Sequence, residues 1–239
     1  MNDQSILNIY EFDNKLRNLT LLYIGEIEVS VLHSLMVKNF TMNYGAYGYL
    51  DINNFRSMKN RNEYDKCIQI MRDSVSRSKE EFVIHFRKKY ISEYDLPMWM
   101  TVETCSFGNL SGLFGMMKPE DQKIISDTYK VSNEIMRSWL HSLTVVRNMC
   151  AHHARFFNRK LGIAPKTPRR DKLPNFYDPY IPKNNRIFSV FSIMKHMLTE
   201  FSLGQQYKTD LANLLNEYSD IDMVSSGFEP NWQEHKLWQ

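Results

Sequence analysis

The chain has 239 residues, 43% of them hydrophobic and 13% aromatic, and a formal net charge of +3. It is long and apolar enough to bury the core of one large domain or two small ones, which excludes a disordered chain. With only nine Gly and eight Pro, recurrent 3.6-residue periodicity and scarce strand-like alternation, the pattern predicts an all-α fold.

The first helix is expected from Tyr10 to about Asn39, with Leu16, Leu19, Tyr23, Ile27 and Val31 at helical spacing. Residues 43–54, with Gly45, Gly48 and several Tyr, read as a loop. Helices follow over about Glu63–Arg77 and Lys79–Tyr90, with Ser78 and Glu81 forming a candidate capping box between them. Leu96-Pro97 introduces a helix through about Phe107 that Gly108 ends, and Ser111 starts a short helical piece. Pro119-Glu120-Asp121 opens another helix, with acids at the positive end of its dipole. Ser132 caps a long helix expected to run on through residue 159. The stretch from Leu161 to Lys183 is rich in Pro and basic residues and reads as a loop. Helices near Arg186–Phe201 and Gln206–Tyr218 close the fold, and residues 219–239 form a tail docked by Trp232 and Trp238. A single domain over 1–239 is expected, with its core from about 10 to 201.

Cys67, Cys105 and Cys150 are too few and too scattered for a disulfide framework, which points to a reducing, cytoplasmic compartment. No charged-then-apolar leader opens the sequence, and no uninterrupted apolar run reaches the roughly twenty residues that span a bilayer. Charge is unevenly spread. From Arg147 to Lys195 there are eleven Lys or Arg against two acids, Asp171 and Asp178, so the remainder sums to about −6. A surface facing a polyanion is implied, against the plainer reading of a solvated basic loop.

The functional candidate lies in Arg147-Asn148-Met149-Cys150-Ala151-His152-His153-Ala154-Arg155-Phe156-Phe157-Asn158-Arg159. Three Arg, two His and two Asn are poor core formers, and no acid occurs from Arg147 to Lys160. Arg offers a bidentate fork for phosphate, and His moves protons near neutral pH. If the helix continues, Trp139, Leu143, Val146, Cys150 and Phe157 form its core face. Asn148, His152, Arg155 and Arg159 then share the opposite face, and Arg147, Ala151, Ala154 and Asn158 a stripe between. On that geometry His152 is the proton-transfer group and His153 makes a structural hydrogen bond at the core edge. Arg147 and His152 diverge by about 140°, so a second helix, from a second copy of the chain, would help close the site. A zinc site from His141, Cys150, His152 and His153 is the rival chemistry, but no Cys-x-x-Cys or His-Glu-x-x-His spacing supports it.

This stretch resembles the Abi-like family of bacterial abortive-infection proteins, within the HEPN superfamily. Three further segments agree with it: Tyr10-x-Phe12-Asp13-x-x-Leu16-Arg17, Ile24-x-x-Ile27-Glu28, and Pro97-x-Trp99-x-x-Val102-Glu103-x-x-Ser106-Phe107-Gly108-x-Leu110-Ser111. The resemblance implies a HEPN-like helical bundle with additional helices, acting as a metal-independent endoribonuclease that dimerises and uses no cofactor. It implies catalytic roles for Arg147, Asn148 and His152. Around them, Arg155, Arg159, Lys160, Arg169, Arg170 and Lys172 are expected to bind RNA, with His153, Asn158 and Glu103 in support and Glu103 available to pair with an arginine. It further implies RNA as substrate and, as in some relatives, an inhibitory noncoding RNA or protein antitoxin. A non-catalytic RNA-binding or adaptor module is the alternative reading. Relatives usually carry further sequence ahead of the Tyr-x-Phe-Asp motif, where this chain begins almost at it.

Overall fold

The computed structural model describes residues 3–57, 61–180 and 182–239. Among them are ten α-helices and no strand: α1 (Asp3–Ile27), α2 (Val37–Tyr44), α3 (Asn62–Arg77), α4 (Glu81–Lys89), α5 (Met98–Glu103), α6 (Phe107–Met116), α7 (Pro119–Thr128), α8 (Asn133–Ala151), α9 (Ile187–Thr199) and α10 (Gly204–Glu217). The all-α expectation holds. The chain divides into two compact units, one of residues 1–27 with 126–239 and the other of residues 28–125.

In the first unit, α1 packs on α8, α9 and α10. Its buried residues Phe12, Leu16, Tyr23, Ile24 and Ile27 recur every three or four positions, the stripe that an amphipathic helix must bury. Helix α9 is buried along its length from Ile187 to Leu198. The tail docks by its aromatics, as expected. Trp238 stacks on Phe188 at 5.8 Å between ring centroids, and Trp232 meets Trp238 edge-on at 4.8 Å.

The second unit begins with a π-helical stretch, Glu28–Met36, that buries Val31, Leu32 and Met36. The buried Asp121 accepts from the Tyr44 hydroxyl at 2.7 Å and from Asn43 Nδ2 at 3.0 Å. Tyr49 donates its hydroxyl to the Leu96 carbonyl at 2.7 Å, which ties the loop before α5 to the chain after α2.

Several boundaries differ from expectation for local reasons. Ser78 is not a helix N-cap; its Oγ accepts from the Glu80 N–H, two residues on, and α4 starts at Glu81. Gly108 does not end a helix. It lies in the first turn of α6, because Ser106 caps that helix by accepting from Asn109 N at 3.3 Å. Residues 43–54 are not one loop, since α2 runs to Tyr44 and two 3-10 turns follow. The run Ser5–Tyr44 is long and apolar enough to cross a membrane by length and composition, with a mean hydropathy of 1.4. The run is not an uninterrupted apolar one, since Glu26 and Glu28 lie within it. Nearly half of its apolar window, 44%, is buried within the fold, which is where a core helix places such residues.

Two buried histidines in the first unit make stability depend on pH. His196 Nε2 lies 2.8 Å from the Tyr129 carbonyl. His235 donates from Nε2 to the Tyr180 carbonyl at 3.0 Å, while its Nδ1 accepts from Leu237 N–H. Burial pushes both imidazoles below the ordinary value of 6.5. The unfolded chain therefore takes up these protons first as pH falls. Their stabilisation is complete above about pH 6.5 and is lost as pH drops through the depressed native values. Urea midpoints should fall between about pH 7 and pH 5.5, and His196→Gln with His235→Gln should flatten that fall. An equally steep fall in the double variant would contradict this origin.

Candidate active site

Helix α8 opens as expected, with Ser132 Oγ accepting from Ile135 N at 3.3 Å, and buries Trp139, Leu143, Val146 and Cys150. It does not continue to residue 159. His152 is its C-cap, with φ −91° and ψ 17°, and His153 takes a left-handed conformation with φ 55°. The His153 N–H reaches the Cys150 carbonyl at 3.2 Å and the Ala154 N–H the Met149 carbonyl at 3.1 Å. This pair of bonds is the Schellman ending, in which a left-handed residue stops a helix by bonding its last carbonyls. Histidine is several-fold enriched among the non-glycine residues that adopt this conformation.

The early stop dissolves the face assignments beyond Ala151. Arg155 and Arg159 do not share a helical face with His152, and Ala154 and Asn158 do not extend a stripe from Arg147. Phe156, not Phe157, is the fully buried ring after the helix. His153 is exposed. Its contribution is the backbone turn, and among the described residues no hydrogen bond of its ring replaces the structural one expected.

What redirects the chain is a carboxylate eleven residues into α1. Asp13 Oδ1 accepts from the backbone N–H groups of Phe156 at 2.9 Å and Phe157 at 2.6 Å. Its other oxygen pairs with Arg17 one turn on, which also donates to Asn14 Oδ1 at 3.3 Å. Both charged side chains are buried, at 8% and 5% exposure for Asp13 and Arg17. The Phe12 ring meets Phe157 edge-on at 5.5 Å. The Tyr-x-Phe-Asp-x-x-Leu-Arg motif is thus a clamp on the exit from α8. Next, Asn158 adopts φ 52°, donates its N–H to the buried Ser226 Oγ at 3.0 Å and accepts from Arg186 at 3.4 Å.

The clamp leaves a cluster of polar side chains facing outward. Arg147 is half-buried, and Asn148, His152 and Arg155 are exposed. Among the described residues no side-chain hydrogen bond engages Arg147, Asn148 or His152. The His152 N–H donates to the Asn148 carbonyl at 3.0 Å, so these two residues stand one turn apart. Arg159 donates to the Arg155 carbonyl at 3.3 Å, and Lys160 is exposed. Of the loop cations, Arg169 is held in a two-point pair by Asp171 at 3.0 and 3.2 Å. Arg170 lies 6.0 Å from the centre of the Tyr177 ring, and Lys172 is exposed. Glu103 lies in the other unit, where its Oε1 is 3.0 Å from His33 Nδ1; a histidine there takes the place foreseen for an arginine.

Cys150 is buried beneath the cluster, and burial pushes its thiol up to about 12, which disfavours the thiolate that a metal or nucleophilic role needs. Among the described residues no group of three His, Cys, Asp or Glu is placed to hold a metal ion. Sequence reasoning assigned no role to Asp13, Arg17, Arg186 or Ser226. The first two lie in a quoted motif, and two buried charges one turn apart are the signal that was available.

The fold is all-α, with a basic cluster of polar side chains at the end of α8. Residues 1–158 match the family model described as Abi-like protein. The chain belongs to that family, whose name places it with abortive infection in phage defence. No curated protein matches the chain, and no solved structure does.

The clamp makes a specific energetic prediction. Arg17→Met should cost about 3 kcal/mol in urea unfolding, because it strands a buried carboxylate. A simple buried ion pair often tolerates replacement of both partners by apolar residues. Here Asp13→Leu with Arg17→Met should not recover that loss, since Phe156 and Phe157 would keep unpaired N–H groups. Recovery to wild-type stability would show that Asp13 serves Arg17 alone.

Proposed function

We propose that this chain is a metal-independent endoribonuclease of phage defence, of the HEPN type, with Arg147, Asn148 and His152 as its catalytic group. The observation that carries this reading is the set of three at the end of α8, Asn148 and His152 exposed and Arg147 half-buried, all free of protein hydrogen bonds on their side chains among the described residues. A side-chain set with only structural duties would be expected to meet partners within the fold. In the proposed reaction an RNA 2′-hydroxyl loses its proton and attacks the adjacent phosphorus. The 5′-oxygen leaves with a proton, giving a 2′,3′-cyclic phosphate and a 5′-hydroxyl end. His152 exchanges a proton with one of these oxygens. Arg147 neutralises the charge that builds on the phosphate, and Asn148 orients the imidazole or the substrate. Arg155, Arg159 and Lys160 hold flanking phosphates, with Arg170 and Lys172 from the loop; Arg169 contributes less because Asp171 already occupies its fork. The setting is cytoplasmic, with an RNA or protein antitoxin as restraint.

His152→Ala should lower cleavage of RNA by about a hundredfold or more while preserving the fold. Wild-type activity should persist in EDTA and leave cyclic-phosphate and 5′-hydroxyl ends. Unchanged cleavage in a folded His152→Ala protein, or a strict need for a divalent ion, would refute the mechanism.

The same reading includes a homodimer about a two-fold axis near α8, the commonest protein symmetry. Ala151, half-buried in the last turn beside Arg147, leaves room there for a second copy. Ala151→Trp should convert a sedimenting dimer to monomer and abolish cleavage together. A wild-type monomer that cuts RNA at working concentration would exclude a shared site.

A further inference from the structure

Helix α9 is the most deeply buried in the first unit, yet it is not apolar throughout: Lys195, its ninth residue, has only 3% of its surface exposed. An ammonium in such a position is costly unless a counter-charge meets it. No carboxylate lies in an ion pair with it among the described residues. Its one hydrogen bond there is to the Thr199 hydroxyl, at 3.4 Å. Burial lowers its pKa from the ordinary lysine value, and Lys208 lowers it further.

Lys195 lines a cavity of about 370 Å³ together with Lys130, Lys172 and Lys236. Four lysines therefore surround one space. The acidic side chain in the lining is Glu200, which is exposed. Lys236 is already paired with Asp178, but Lys130 and Lys172 have no acid partner among the described residues. Lys172 was expected to bind RNA from its place in the sequence, and here it joins cations from three other segments. Asn175, Gln205 and Gln239 add amides to the wall; Gln205 Nε2 already donates to the Gln239 carbonyl and Gln239 Nε2 to the Glu234 carbonyl, which leaves the Asn175 amide to suit a phosphate oxygen. The volume is within the range of small-molecule sites.

A long lysine in a helix can carry its ammonium along its own stem, and Lys195 brings it to the wall of this cavity. That explains how the residue is tolerated, but not why three further lysines converge on the same space, since like charges repel. An anion in the cavity accounts for both. We propose that this cavity binds a phosphate-bearing ligand, with Lys195 as its buried anchor and Lys130, Lys172 and Lys236 around it. The cavity is linked to α8 through two of its lining residues. Phe176 and His196 line it, and both pack on Trp139 of α8, at 6.0 and 5.7 Å between ring centroids. Occupancy would thus be felt two turns before Arg147. A free nucleotide and an RNA strand both supply the phosphate; the chemistry of recognition is the same.

The test is thermal unfolding of the full chain with added inorganic phosphate, pyrophosphate, a nucleoside monophosphate or a short single-stranded RNA, each against chloride at equal ionic strength. Wild type should gain melting temperature with at least one of these, because a ligand that binds only the native state stabilises it. Lys195→Met keeps the volume of the stem and removes the charge. It should raise the melting temperature without ligand and weaken the ligand response about tenfold or more in concentration. Lys183→Gln, outside the cavity, should leave the response as in wild type. A shift with pyrophosphate or the monophosphate identifies a small ligand, and a shift with RNA alone identifies a strand. No shift in wild type, or an equal response in Lys195→Met, would overturn the site. So would equal losses in Lys183→Gln, which would mark general charge screening. Cleavage is not part of the readout, so loss of the nuclease reading would leave this result intact.

Discussion

A single buried carboxylate governs the end of the central helix. Asp13 accepts the N–H groups of Phe156 and Phe157 on one oxygen and pairs with Arg17 on the other. A lone carboxylate at this depth would be expelled or neutralised. Two backbone donors and a guanidinium make it affordable by satisfying its lone pairs. In exchange, the backbone after α8 is fixed where water is excluded and where no helical carbonyl is available to it. Without that acceptor, two buried donors would have no partner, and the chain would lose its reason to fold back beneath His152 and His153.

The consequence is a division of labour among polar groups that look alike in the sequence. Asp13, Arg17 and Ser226 are buried and hold the chain, joined by the backbone N–H of Asn158. Asn148, His152 and Arg155 are left to solvent, and Arg147 is half-buried. The left-handed turn at His153 belongs to the first group through its backbone, although its ring is exposed. Adjacent histidines thus differ in kind: one shapes the turn, and the other presents its imidazole. Lys195 follows the opposite logic to Asp13. It is as deeply buried, but no protein group of opposite charge completes it.

Helix identity was legible because burial repeats at helical spacing. The apolar positions of α1, α3, α8 and α9 stand out, and so do the cap at Ser132 and the docking of Trp232 and Trp238. The end of α8 was not legible. Nothing local forbids a helix through Cys-Ala-His-His-Ala-Arg, since no Gly or Pro interrupts it, and intrinsic propensities there differ by only tenths of a kcal/mol. The stop is imposed from a residue about 140 positions earlier in the chain, which periodicity within a window cannot sense. The same limit hid the 3-10 turns after α2 and the serine that restarts the chain at α6, where side-chain acceptors decide between near-equal alternatives. The candidate residues themselves were legible by type, as an acid-free run of Arg, Asn and His. Their arrangement was not, because it depends on where the helix ends.

In the proposed nuclease, the Asp13 clamp holds the exit from α8 in the position from which His152 would act. Amide hydrogen exchange at Phe156 and Phe157, measured with RNA cleavage in Asp13→Ala under conditions where the protein stays folded, tests it most directly. The account predicts rapid exchange at these two amides and cleavage reduced by at least about tenfold, as expected when a catalytic group is misplaced by about an ångström. Freely exchanging amides with wild-type cleavage would contradict it.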